Sequence, residues 1–232
     1  MALSAAHNLL IESLPVRDRA RLLALCETVQ LGLSEVLGEA GVKSSHVYFP
    51  TEGFISLLAR VDEHPGLEVG MVGREGMVGT ALLLGVAQAP TRWLVQGAGS
   101  SLRITAAAFR SELKASPALQ RQLALYLYVV MAQMVSSAGC LRFHLVAQRL
   151  ARWLLMSQDR AQASHFHVTH EILAYMLGVR RVGVTVAAGE LQRRGLIHYH
   201  RGELTVTDRP GLEAAACSCY AADRAVYALH LG

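Results

Sequence analysis

The chain has 232 residues, of which 52% are hydrophobic and 17% charged, and a formal net charge of +4. That apolar content excludes a disordered chain. The length allows one large domain or two small ones with a core that needs no disulfide or metal staple. The basic excess suits an anionic partner. Lys43 and Lys114 are the only lysines among 22 basic residues, and arginine favours bidentate contacts to phosphates and guanine edges. Cys26, Cys140, Cys217 and Cys219 are too few and too unevenly spaced for a disulfide scaffold. Met1 to Leu10 lacks a basic n-region and a cleavage pattern, so the expected location is the cytoplasm.

In chain order, Leu9 to Cys26 reads as one or two short helices, with Pro15 in a tolerated first-turn position and Arg17, Asp18, Arg19 and Arg21 on the solvated side. From Thr28 to Ile104 the pattern changes to short strands: Val29 to Leu33, Val47 to Phe49, Phe54 to Val61, Leu67 to Val72 and Trp93 to Ile104, with turn residues between them. Many short strands at this spacing predict a small antiparallel barrel or roll. Ala106 to Leu113 is a short helix, and Pro117 opens a long one reaching about Gly139.

The run from Gln122 to Leu141 carries no charge, and its length of about 20 residues is what a membrane span requires. Gln122, Gln133, Ser136, Ser137 and Gly139 dilute it, so the reading is a helix buried on two sides and no membrane partner. One side packs on its own domain and the other on a second copy. Leu123, Leu127, Val130, Met134, Ala138 and Leu141 recur at spacings of three and four and are the expected dimer face.

His144 to Gln158 is amphipathic, with Leu145, Leu150, Trp153 and Leu154 expected inward and Arg149, Arg152 and Asp159 outward. Val168 to Tyr199 then reads as helical, Leu196 to Thr207 as two strands around Arg201-Gly202, and Leu212 to Leu229 as an Ala-rich terminal helix. The segment from His170 to Ala188 has helix-turn-helix spacing. Ala174 is small where the second helix crosses the first, and Gly178 supplies the left-handed turn four residues later. Leu173, Leu177, Val179, Val184 and Ala187 form the apolar set that locks the pair together. Arg180, Arg181, Val182, Gly183 and Thr185 are then left at the start and outer face of the second helix, the end that enters a major groove. Thr169 can cap the first helix and reach a phosphate, with His170 beside it. Arg180, Arg181, Arg193, Arg194 and Arg201 stand against Glu190 alone, and His200 and Arg201 sit at the tip of the following hairpin, a wing able to lie on the DNA backbone.

These residues resemble the Crp/Fnr superfamily of transcription regulators. Gly73-Arg74-Glu75-Gly76-Met77-Val78-Gly79, followed by Leu82-Leu83-Leu84-Gly85, is similar to the family's phosphate cassette. Val179 to Thr185 and the tail Gly211 to Tyr220 resemble a subgroup of its members. The resemblance spans essentially the whole chain and implies an α+β protein: an N-terminal double-stranded β-roll like a cyclic-nucleotide-binding domain with its N-terminal helices (1–116), a dimerisation helix (117–143) and a C-terminal winged helix-turn-helix (144–232). It also implies a homodimer on double-stranded DNA with a pseudo-palindromic operator, and RNA polymerase as a partner.

The departures from the family pattern are informative. Thr80 stands where cyclic-nucleotide-binding members have a ribose-binding Glu, and Pro90 stands at the position of their phosphate-binding Arg, with Arg92 displaced by two. Loss of that charge-assisted pairing predicts weak or no cyclic AMP binding. By analogy with the family, Val78, Gly79, Thr80, Arg92 and Tyr126 are the candidate walls of an effector pocket. In the recognition helix Arg181 matches a family Arg, while Val182 replaces a Glu and Val186 a later Arg, so the operator should differ from the usual family site.

Other chemistry finds little support. The cysteines lack iron–sulfur spacing, and Cys217 and Cys219 on one helix would point to different sides. His165, His167 and His170 outline a metal site that lacks a fourth ligand, and His46, His64 and Cys26 mark no haem pocket. No catalytic motif is present, so the expectation is a non-enzymatic regulator without metal or cofactor, open only to an unknown small effector. The alternative is a small-molecule or haem sensor acting through protein–protein contacts, with vestigial DNA binding.

Overall fold

The computed structural model describes residues 8–60, 62 and 66–232. His64 and the first seven residues lie outside them. Two short helices, α1 (Leu9–Glu12) and α2 (Val16–Ala24), lead into β1 (Glu27–Leu31), β2 (Val36–Gly38), β3 (His46–Pro50), β4 (Phe54–Ala59) and β5 (Leu67–Val72). A 3₁₀ helix over Thr80–Leu84 precedes β6 (Arg92–Gly97) and β7 (Gly99–Thr105). The strands form two antiparallel sheets, in the orders β1-β7-β3 and β2-β6-β4-β5.

Strand alternation decides which way each side chain packs. In β3, Tyr48 turns into the space between the sheets with Leu31, Ile55, Val72 and Trp93. Its neighbours Val47 and Phe49 turn the other way, into a second cluster with Phe109, Leu119, Leu123 and Tyr126. That second cluster is roofed by α3 (Ala106–Ala115) and α4 (Pro117–Phe143). Ser116 caps α4 by accepting from the Leu119 amide at 3.1 Å, and Pro117 occupies its first turn.

By length and hydropathy α4 could cross a bilayer. Its Leu123, Tyr126, Val129 and Val130 are instead packed in the chain's own interior. This corrects the expected dimer face at three positions, because Leu123 and Val130 belong to the roll's core and Met134 packs against it, while Ala138 is exposed and Leu127 and Leu141 are half-buried. The outward face carries Leu125, Tyr128, Met131 and Val135, the last 74% exposed. A helix of period 3.6 presents only one stripe to the roll, and two overlapping apolar stripes of the same spacing cannot be told apart by periodicity.

The chain continues through α5 (Val146–Ala161), β8 (His165–His167), α6 (His170–Leu177), α7 (Arg181–Arg193), β9 (Ile197–His200), β10 (Glu203–Val206), α8 (Arg209–Ala215) and α9 (Cys219–Leu231). In α5 the expected polarity is reversed at three positions. Leu145, just before the helix, is 74% exposed, whereas Arg149 and Arg152 are each 8% exposed. Arg149 donates to the Leu177 carbonyl at the end of α6. Arg152 pairs with Asp223 of α9 at 2.6 Å and donates to Ser137 Oγ at 3.2 Å. Both are interior connectors rather than solvated charges.

The terminal helix is broken as well. Ala216 is extended (φ −71°, ψ 158°) and Cys217 lies between α8 and α9. The Ala-rich sequence hides the break because no Gly or Pro marks it.

One cluster joins the C-terminal helices to the roll: Leu150, Trp153, Leu154, Leu173, Val184, Leu191 and Leu212 pack with Phe54, Leu58 and Met71. Leu150 is fully buried at its centre. Replacing it by Ala should cost about 2–5 kcal/mol of stability, measurable as a shift of the denaturation midpoint at constant m-value.

Candidate nucleic-acid interface

The two helices of the motif are set by their ends. Thr169 caps α6, its hydroxyl accepting from the Ile172 amide at 3.2 Å. Gly178 ends α6 in the left-handed region at φ 61°, where a side chain would be strained. A Cβ there would also strike Leu67 of β5. The chain bends by 107° between α6 and α7, within the range of helix-turn-helix units. Ala174, Leu173, Leu177, Val184 and Ala187 are buried between the helices, as their spacing requires, and Val179 packs against them.

That packing leaves one face of α7 to solvent. Arg180, Arg181, Val182, Thr185 and Val186 are exposed, the two valines by 66% and 67%. Arg180 is the N-cap and contributes no side-chain cap. Gly183 is half-buried, with open space where a side chain would stand. Arg193 is exposed at the far end, and Arg194 lies 3.8 Å from Glu190.

His170 is a brace beneath this helix. Its ring stacks on Tyr199 at 4.5 Å, and its Nδ1 lies 3.0 Å from Thr185 Oγ1. Thr185 donates onward to the Arg181 carbonyl at 3.1 Å, so the shared proton on the His170 side sits on Nδ1. Its Nε2 is buried without a partner. Burial, with Arg181 nearby, holds His170 below the usual histidine range. The folded state therefore takes up a second proton, on Nε2, less readily than the unfolded chain does, and stability is lost as pH falls from the ordinary histidine pKa down through the lowered one. Melting from pH 7.5 to 5.5 should show a smaller loss for His170→Phe, which keeps the ring stack but cannot protonate.

The wing is a two-residue hairpin in which β9 and β10 pair His200 with Glu203. Arg201 (φ 50°) and Gly202 (φ 88°) both take positive φ, the signature of a type I′ turn. His200 and Arg201 are exposed at its tip. β8 adds a third strand, in the order β8-β10-β9. His165 and His167 of β8 each lie 2.7 Å from Glu203, while His170 faces Thr185, so the three histidines do not converge on a metal.

The expected effector pocket is almost closed. Val78, Gly79, Thr80 and Tyr126 do meet, with Thr91, Trp93 and Met134 among the other walls, but the cavity holds only about 20 Å³. The Tyr126 hydroxyl fills the space over Gly76 and donates to the Met77 carbonyl at 3.2 Å. Arg92 is not part of it: Thr91 and Trp93 turn inward, and Arg92 turns out to lie 3.3 Å from Glu39. A larger cleft of about 730 Å³ opens elsewhere, between Arg74 and Glu75 of the cassette, Asp159 and Arg160 of α5, and Arg224 and Tyr227 of α9. No sequence pattern points to it, because its walls come from three distant segments.

A two-sheet roll, a long helix and a winged helix-turn-helix with an open arginine-bearing face define a DNA-binding regulator. Residues 148–215 match the Crp-like helix-turn-helix domain family. No curated protein matches the chain. Among solved structures, a CRP/FNR-family transcriptional regulator from Thermus thermophilus is similar at 25% identity and TM-score 0.67, over 82% of this chain and 98% of that one. The c-di-GMP responsive global regulator CLP of Xanthomonas campestris shares the fold at 18% identity and TM-score 0.67, over 83% and 99%. FixK2 from Bradyrhizobium japonicum does so at 13% identity and TM-score 0.69, over 83% and 98%. Residues 148–215 thus form a Crp-like helix-turn-helix domain, and the chain shares the fold of solved Crp/Fnr-family transcription regulators.

Proposed function

We propose that the chain is a homodimeric, non-enzymatic regulator that reads a pseudo-palindromic operator in cytoplasmic DNA, with RNA polymerase as its downstream partner. The observation that carries this reading is the open face of α7, on which Arg180, Arg181, Val182, Thr185 and Val186 are all exposed at the end of a helix that needs none of them for packing. Arg180 and Arg181 suit guanine edges, and the valines and the Thr185 methyl suit thymine methyls. Arg193, Arg194, His200 and Arg201 are assigned to the phosphate backbone. Residues 1–116 act as the sensor, 117–143 as the dimer helix and 144–232 as the DNA-binding part.

The dimer seam in this reading is the outward stripe of α4, Ala124, Tyr128, Met131, Val135 and Ala138, which alternates spacings of four and three as helix pairs require. Selection from a random DNA pool with purified, ligand-free protein should enrich a palindrome with half-sites about 34 Å apart. A folded dimer that enriches nothing means either that an effector is required or that the chain does not read DNA.

Cyclic AMP is not the signal in this reading. A cavity of about 20 Å³ is far below the roughly 300–1,000 Å³ of small-molecule sites, and Thr80 and Pro90 stand where the ligand's partners would be. Calorimetry with cyclic AMP should show no binding heat; a micromolar affinity refutes this. The other reading, a sensor with vestigial DNA binding, needs a deep roll pocket and a covered recognition helix, and among the described residues neither is observed.

A further inference from the structure

The break between α8 and α9 has a chemical consequence. Because Cys217 lies in the break and Cys219 opens α9, the two thiols turn to the same side instead of diverging along one helix. They meet the end of α4, where Cys140 and His144 stand four residues apart and share a face. Cys140 Sγ lies 3.5 Å from Cys217 Sγ, and Cys219 Sγ lies 3.6 Å from His144 Nδ1. All four donor atoms fall within 4.8 Å of one another. We propose that Cys140, His144, Cys217 and Cys219 form a structural zinc site.

Three thiolates and one imidazole are a preferred zinc set. With Zn–S bonds of about 2.3 Å, the edges of a tetrahedron are roughly 3.8 Å, so the observed separations need only small adjustment. Four protein donors leave no open position, which makes the site structural and not catalytic. Cys140 and Cys217 are 2% and 4% exposed, as a closed site requires.

The surroundings fit the charge. Zinc with three thiolates is a net anion, and the buried Arg149 and Arg152 line a small cavity together with Cys140. Among the described residues Arg149 has no carboxylate within ion-pair distance, so the cluster would give that buried cation a counter-charge. His144 is also the residue at which α4 ends and the chain turns into α5. Zinc there would pin the foot of the long helix to the first turn of α9 and fix the angle at which the DNA-binding part leaves it.

The test uses the full-length protein purified under reducing conditions. Elemental analysis should give about one zinc per chain. After chelation, titration with cobalt should produce the visible absorption of tetrahedral thiolate coordination. The double variant Cys217→Ser/Cys219→Ser should lose both signals, while Cys26→Ser, remote in the roll, should keep both. Three outcomes overturn the proposal: protein without metal whose Cys140, Cys217 and Cys219 alkylate freely and which gives no cobalt spectrum, a Cys140–Cys217 disulfide in zinc-free protein, or iron with acid-labile sulfide. The wild-type zinc content and cobalt spectrum decide even if the double variant fails to fold.

Discussion

Val135→Glu together with Met131→Glu should convert the protein into a monomer that no longer holds its operator. Both residues lie on the outward stripe of α4, 74% and 58% exposed, so the substitutions disturb nothing in the chain's own core. In a two-fold seam each stripe meets its own copy. Four carboxylates would then be buried face to face, and each uncompensated buried charge costs several kcal/mol. A monomer also keeps only one set of base and phosphate contacts. With about 1.4 kcal/mol per tenfold, operator affinity should fall by more than roughly a hundredfold. Light scattering reads the mass, anisotropy the affinity, and an unchanged circular dichroism spectrum verifies the fold. If the variant stays dimeric and binds as before, the seam lies elsewhere. Leu123→Glu is the informative contrast: Leu123 is fully buried in the roll's core, so that change should unfold the chain.

The second large effect is at Arg181. Arg181→Ala should weaken operator binding by about 1–3 kcal/mol per half-site and relax the preference at one base position. Arg181→Lys should recover part of the affinity but little of the specificity, because a single ammonium cannot make the two parallel bonds of a guanidinium. Arg193→Ala should behave differently, lowering affinity evenly across sequences and reducing the salt slope by about one. Competition binding on a panel of single-base operator variants separates the two patterns. Equal affinity of Arg181→Ala and wild type would show that the register of α7 on DNA is wrong.

The motif from Thr169 to Thr185 is legible in the sequence because each position is set by a local rule. A capping hydroxyl, a small residue at a crossing and a glycine at positive φ require no knowledge of the rest of the chain. The strands of the roll are legible for the same reason, apart from β2, three residues long and too short for alternation to register, and the break at Ala98 that divides the expected strand Trp93 to Ile104 into β6 and β7.

What fails to read out depends on partners distant in sequence. Arg149 and Arg152 look solvated until Leu177 and Asp223 are brought to them. Cys140 and Cys217, 77 residues apart, look unrelated until α9 folds back along α4. The stripe on α4 reads wrongly at Leu123, Val130 and Met134 because the helix is apolar on the roll side as well as the outward side.

The shared core has a genetic corollary. Phe54, Leu58 and Met71 belong to the roll by sequence and to the packing of the DNA-binding helices by contact. A selection for loss of repression or activation should therefore return alleles at these three codons alongside those in α7. Mapped on the linear chain, such alleles would look like defects of the sensor. Second-site suppressors that refill the space left by such a truncated side chain, drawn from Leu150, Trp153 and Leu173 of the same cluster, would tie them to the helix-turn-helix instead.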